Sequence, residues 1–231
     1  MTSKLTSRLK QCAGPRGTFA ILALDHRNSL REALDPRNPG RVPDGKLVAF
    51  KREVASILAP EATAVLLDPE YGLGESGAVH VLPKGTGLII SLERSGYTGQ
   101  PDARLSDLLP GWYARRAAEA GARAVKLLVY YHPEATTASQ VRALVWRVGA
   151  ACEEAEMPLF LEILTYLPAA LSSRPASQEH RRAVIEAARH LTEAPGVSVL
   201  KAEFPSDVDA DTDEADWFDA CRELTEASRV P

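Results

Sequence analysis

Ala124-Val125-Lys126-Leu127-Leu128-Val129-Tyr130-Tyr131 is a short, nearly continuous apolar run rich in branched and aromatic side chains. It does not alternate apolar with polar residues. That is the pattern of a strand covered on both faces, as in parallel sheets flanked by helices. Similar runs occupy residues 19–24, 64–67, 87–92, 158–164 and 197–202. Helical periodicity lies between most of them. Asp44 is placed to cap a helix whose apolar residues are Leu47, Phe50, Val54, Ile57 and Leu58. Thr137 with Gln140 makes a capping-box pattern ahead of Val141, Leu144, Val145, Val148 and Cys152. Ser177 is placed to cap a helix carrying Val184, Ala187, Ala188 and Leu191, and Asp213 one carrying Trp217, Cys221 and Leu224. A further helix is expected over 107–120, ended by Gly121. Strands alternating with helices mean an α/β fold with a parallel sheet. The runs start 45, 23, 37, 34 and 39 residues apart, which suits a (β/α)₈ barrel or a doubly wound open sheet. No GxGxxG follows the first run, which counts against a dinucleotide fold.

The composition narrows the function classes. The chain has 231 residues, a net charge of −4, 45% apolar and 25% charged residues, close to the averages of globular domains. A disordered chain, a coiled coil and a collagen-like protein are excluded. Mild acidity with scattered Lys and Arg argues against a nucleic-acid partner. Cys12, Cys152 and Cys221 are too far apart to read as a disulfide framework or a zinc site, so a reducing compartment is expected. No run approaches the ~18 apolar residues of a membrane span, and the first ten residues lack the apolar stretch of a secretory signal. The expectation is a cytoplasmic protein with no membrane partner. No interdomain linker is visible, so residues 1–231 read as a single domain. A complete barrel uses ~250 residues, and only about six βα units fit here. The first and last strands of such an incomplete barrel would have open edges, which invite pairing into a homo-oligomer.

The ionisable residues fall at the ends of the apolar runs. Asp25 ends the first, Asp68 the second and Glu93 the third; Lys126, Glu162 and Lys201 interrupt the fourth, fifth and sixth. In α/β barrels the carboxyl ends of the strands build the active site. A charged group inside an apolar strand costs several kcal/mol if buried unpaired, so a shared polar cluster is expected. Lys201 is the sharpest case. An enclosed lysine near a second ammonium, here Lys126, has a lowered pKa, and a neutral amine attacks a ketone to form a Schiff base. Glu162 would then move protons. The bland alternative is that each lysine faces solvent or pairs with a carboxylate for structure. His80, His132, His180 and His190 have no ligand-like spacing, so no metal is expected. Tyr130 and Tyr131 would line the pocket or pack. Arg27 and Arg94 would meet a phosphate or, as the commoner case, be ordinary surface arginines, and Trp112, Trp146 and Trp217 read as packing residues on helices.

Several of these segments together resemble one family. They are Leu22-Ala23-Leu24-Asp25-His26-Arg27, Leu66-Leu67-Asp68-Pro69-Glu70-Tyr71-Gly72-Leu73, Gly96-Tyr97, the stretch from Ala120 through Lys126 to Tyr131, Leu161-Glu162-Ile163-Leu164-Thr165-Tyr166, and Val199-Leu200-Lys201-Ala202-Glu203-Phe204-Pro205. In this order they resemble the class I tagatose-1,6-bisphosphate aldolases. The resemblance implies a TIM (β/α)₈ barrel that cleaves a ketohexose bisphosphate into dihydroxyacetone phosphate and glyceraldehyde 3-phosphate, with no cofactor. It implies Lys201 as the Schiff-base lysine, Glu162 as acid/base, Lys126 as an adjacent positive charge, and Asp25, His26, Asp68 and Glu203 as substrate-contacting residues. The family usually carries Gln where this chain has His26. It also continues for about two more βα units, which supply much of the phosphate grip. An aldolase for another phosphorylated ketose, such as a sulfosugar phosphate, and an impaired remnant or sugar-phosphate sensor are the alternative readings.

Overall fold

Each of the six apolar runs becomes a strand in the computed structural model, which describes residues 2–208 and 213–231. In chain order the elements are α1 (Ser3–Lys10), β1 (Ile21–Leu24), α2 (Asn28–Leu34), α3 (Asp44–Leu58), β2 (Ala64–Leu67), β3 (Gly87–Ser91), β4 (Thr98–Gln100), β5 (Ala103–Leu105), α4 (Ala114–Glu119), β6 (Ala124–Tyr130), α5 (Ala138–Glu154), β7 (Leu159–Leu164), α6 (Ala176–Leu191), β8 (Val197–Lys201) and α7 (Glu214–Ala227). The strand order is β1-β2-β3-β6-β7-β8, with β4 and β5 forming a separate antiparallel hairpin. The pairings β1–β2, β2–β3, β3–β6 and β7–β8 are parallel. The expected α/β fold with a parallel sheet is therefore present. β2 and β3 are buried along their whole length, which explains their lack of alternation, whereas β1 and β8, at the two ends of the order, are only partly covered.

The chain divides into two compact units. One comprises Met1–Gly96, Leu109–Lys126 and Ala155–Pro158; the other comprises Tyr97–Leu108, Leu127–Glu154 and Leu159–Pro231. In the first, Val65, Leu67, Ile89, Ile90 and Val125 are buried core. In the second, Leu127, Val129, Leu159, Leu161, Val145 and Leu191 play that part. Each such side chain contributes about 1.5–3 kcal/mol by leaving water. In the second unit α5 meets the turn before β8 backbone to backbone. A Cβ on Gly149 would lie 2.0 Å from the Pro195 carbonyl oxygen, and one on Gly196 2.1 Å from that of Gly149.

Several helices differ from expectation. The buried face of α3 is Leu47, Lys51 and Ala55, not the set containing Phe50, Ile57 and Leu58, which are exposed. On that face Lys51 points inward to the buried carboxylate of Asp68. Asp44 is the first residue of α3, not its cap. The helix expected over 107–120 shrinks to Ala114–Glu119, because Pro110 disfavours a helical residue before it and Gly111 adopts φ 77°. Gly121, φ 92°, follows its end as expected. The Asp213 cap forms, its carboxylate accepting from the Ala215 N–H at 2.9 Å. Ser177 lies inside α6, one residue past its start. The Thr137 hydroxyl faces the Tyr166 hydroxyl at 3.4 Å. The apolar faces expected of α5 and α6 are buried. Sequence periodicity missed α1, α2 and the β4–β5 hairpin, all too short for it to register.

Candidate active site

In the first unit, residues just past the ends of β1 and β3 and one inside β6 bring three charges together. Ser91 of β3 pairs in register with Lys126 of β6. The buried Lys126 ammonium donates to Asp25 Oδ2 at 2.8 Å and to Glu93 Oε1 at 2.7 Å. Burial pushes the Asp25 carboxyl up, but the charge and hydrogen bond of Lys126, with His26 nearby, outweigh it and hold it below the ordinary carboxylate value. His26 itself is exposed. Arg27 is buried, donating to Glu70 Oε2 at 2.8 Å and to the Glu93 carbonyl at 2.6 Å. It is a strut for the Glu93 segment, not the surface arginine its sequence context indicated.

Asp68, at the end of β2, is held differently. Lys51 Nζ lies 2.5 Å from Asp68 Oδ2, and neither side chain has exposed surface. Asp68 Oδ1 accepts from the Tyr71 N–H at 3.1 Å. Burial lowers the Lys51 pKa and raises that of Asp68, each against the partner's opposing charge. Sequence reading passed over Lys51, although its i, i+4 spacing from Leu47 and to Ala55 marks the buried stripe.

In the second unit Glu162 of β7 and Lys201, the last residue of β8, occupy directly paired positions. The Lys201 ammonium donates to Glu162 Oε1. Glu162 is mostly buried, but the Lys201 side chain is 52% exposed. The enclosed lysine expected from sequence is not what the structure shows: β8 ends the strand order, so its last side chain is covered from one flank. Glu203 accepts from Thr165 N–H at 2.6 Å and Thr165 Oγ1 at 2.8 Å, tying the segment after β8 to the end of β7.

The histidines of this unit have packing partners. Glu134 N–H donates to His132 Nδ1 at 3.2 Å, so Nε2 carries the proton and faces Glu179 Oε1 at 3.2 Å. Burial lowers the His132 pKa against the pull of Glu179. Glu179 also meets Arg174 at 3.1 Å and Arg182. His180 bridges Thr165 Oγ1 and the Phe204 carbonyl, and His190 Nδ1 meets the Tyr131 hydroxyl at 3.0 Å.

Parallel strands that carry paired lysines and carboxylates within them or just past their ends define an α/β protein of the parallel-strand class. The chain belongs to the DeoC/LacD family of aldolases, whose model matches residues 19–231. It is 35% identical over 204 residues to tagatose 1,6-diphosphate aldolase 1 of Enterococcus faecalis, covering 85% of this chain and 61% of the relative. It is 33% identical over 214 residues to the tagatose 1,6-diphosphate aldolase of Streptococcus agalactiae, covering 90% of this chain and 65% of the relative. The chain thus spans less than two thirds of the length of these relatives. Its fold matches the crystal structure of an archaeal fructose 1,6-bisphosphate aldolase with a TM-score of 0.60 at 17% identity, over 96% of this chain and 87% of that one. A Schiff-base-forming fructose-1,6-bisphosphate aldolase matches with a TM-score of 0.59 at 17% identity, over 96% and 88%. No helix among the described residues is long and apolar enough to cross a membrane.

Proposed function

We propose that this chain carries a class I aldolase acting on a ketohexose 1,6-bisphosphate such as tagatose 1,6-bisphosphate. The observation that carries the reading is the Lys201–Glu162 pair on adjacent strands. A carboxylate in direct contact with an amine is placed to take its proton, which frees the nitrogen lone pair for the ketone carbon. The resulting carbinolamine loses its hydroxyl as water when Glu162 returns the proton, leaving a protonated iminium on Lys201. Glu162, again a carboxylate, takes the proton of the C4 hydroxyl, and the C3–C4 bond breaks. Glyceraldehyde 3-phosphate departs, and the bonding electrons pass into the iminium as an enamine. Glu162 returns that proton to C3 of the enamine, and water hydrolyses the iminium to release dihydroxyacetone phosphate and free Lys201. The half-exposed position of Lys201 leaves its nitrogen reachable by a carbonyl.

In this reading Glu203 orients the segment after Lys201, and Asp68 anchors the first unit through Lys51. The setting is cytoplasmic, in keeping with three cysteines that are all free thiols. The test is trapping. Dihydroxyacetone phosphate with borohydride should leave a reduced adduct on Lys201, located by peptide mass spectrometry. A folded protein without that adduct overturns the reading.

A further inference from the structure

The β4–β5 hairpin belongs to the second unit and is pinned to the carboxyl ends of two strands. The Tyr130 N–H, at the end of β6, donates to Ser106 Oγ at 3.3 Å. The Arg104 N–H donates to the hydroxyl of Tyr166, just past the end of β7, at 3.3 Å. The ends of β6 and β7 are themselves joined by the Tyr131 N–H to Leu164 carbonyl bond at 2.9 Å. The hairpin thereby holds the Arg104 guanidinium among three rings. Its Cζ lies 4.6 Å from the Tyr97 centroid, 4.7 Å from that of Tyr166 and 5.7 Å from that of Tyr130. Nε donates to the Pro101 carbonyl at 2.8 Å.

Among the described residues the two Nη groups of Arg104 have no hydrogen-bond partner, and no carboxylate forms an ion pair with it. The unit's other clustered arginines are paired: Arg174, Arg181 and Arg182 each meet a glutamate. The Tyr97 hydroxyl also lacks a partner among the described residues, and its side chain is partly exposed. A planar cation fixed by aromatic faces, with both ends of its fork open, matches the geometry of a phosphoryl group.

We propose that Arg104, assisted by the Tyr97 hydroxyl, binds a phosphoryl group of the sugar substrate at this end of the second unit. This rests on the aldolase reading for its substrate class, but not for its test. Inorganic phosphate, fructose 6-phosphate and fructose are titrated into the full chain and into Arg104→Met, with binding read by calorimetry. Arg104→Met should weaken fructose 6-phosphate by about tenfold to a hundredfold, the worth of a charged bidentate contact. Parallel weakening of inorganic phosphate extends the site to the free anion, and fructose should bind far more weakly than its phosphate. Equal binding of both phosphates by wild type and a normally melting Arg104→Met, or no binding of either by wild type, overturns the proposal. Should Arg104→Met melt early, Arg104→Lys keeps the charge and stem but loses the fork, and must still bind more weakly. Failure of the aldolase reading shows separately, as a missing borohydride adduct on Lys201.

Discussion

Glu162 and Lys201 sit opposite one another in the β7–β8 register and form an ion pair, one partner mostly buried and the other half exposed. Pairing across strands fixes the carboxylate against the amine through the backbone ladder, not through two flexible side chains finding each other. That is the preorganisation that proton transfer needs.

Lys201→Met should abolish borohydride trapping of dihydroxyacetone phosphate while barely altering the fold. The side chain is half exposed, so the lost pair is worth no more than about 1 kcal/mol. Intact-mass measurement after reduction, beside a urea melt, checks both halves.

Glu162→Gln keeps the shape and removes the proton carrier. Adduct formation on Lys201 should slow by about 10²–10⁴-fold, the usual range for lost acid–base assistance. Time-resolved trapping measures it, and a rate within about threefold of wild type would remove Glu162 from that role.

Lys51→Met leaves the Asp68 carboxylate with no exposed surface and without its partner ammonium. Breaking a buried pair from one side costs about 3–5 kcal/mol. The double variant Lys51→Met with Asp68→Leu should recover most of that loss, because no charge remains to be buried. Urea unfolding of the three variants decides it, and equal losses in single and double variants would argue against the pair.

Glu179 gives a pH prediction. Burial pushes its carboxyl up, but hydrogen bonds and charge from Arg182 and Arg174 outweigh this and bring it from 4.5 down to about 2. A carboxyl lower in the folded than in the unfolded state stabilises the fold above its unfolded value and loses that contribution as pH falls. Stability should therefore drop as pH falls from about 4.5 toward 2. Glu179→Gln should flatten that acid limb in melts taken across this range.

Gly149→Ala should destabilise by about 1–3 kcal/mol or more, since the new methyl meets the Pro195 carbonyl and neither backbone can yield cheaply. A melting temperature within a degree or two of wild type would show that α5 and the turn before β8 move apart freely.

The parts of the candidate site that were legible in sequence were those fixed by position along a strand. Asp25, Lys126, Glu162 and Lys201 end or interrupt apolar runs, and the structure puts Asp25 with Lys126 and Glu162 with Lys201. Lys51 was passed over and Arg27 misread as a surface arginine because their roles depend on partners 17 and 43 residues away, Asp68 and Glu70. Arg104 was invisible for the same reason: its tyrosines come from just before the hairpin, the end of β6 and just past β7.

By itself the sequence determined the parallel α/β arrangement, since runs buried on both faces and alternating with amphipathic helices leave few other ways to cover apolar surface. It also determined the order of the charged positions along the chain. Only the tertiary structure decided which charges pair, which face of α3 turns inward and how open Lys201 is. Those outcomes depend on burial and on distances of a few ångströms between residues far apart in the chain, and no local pattern encodes either.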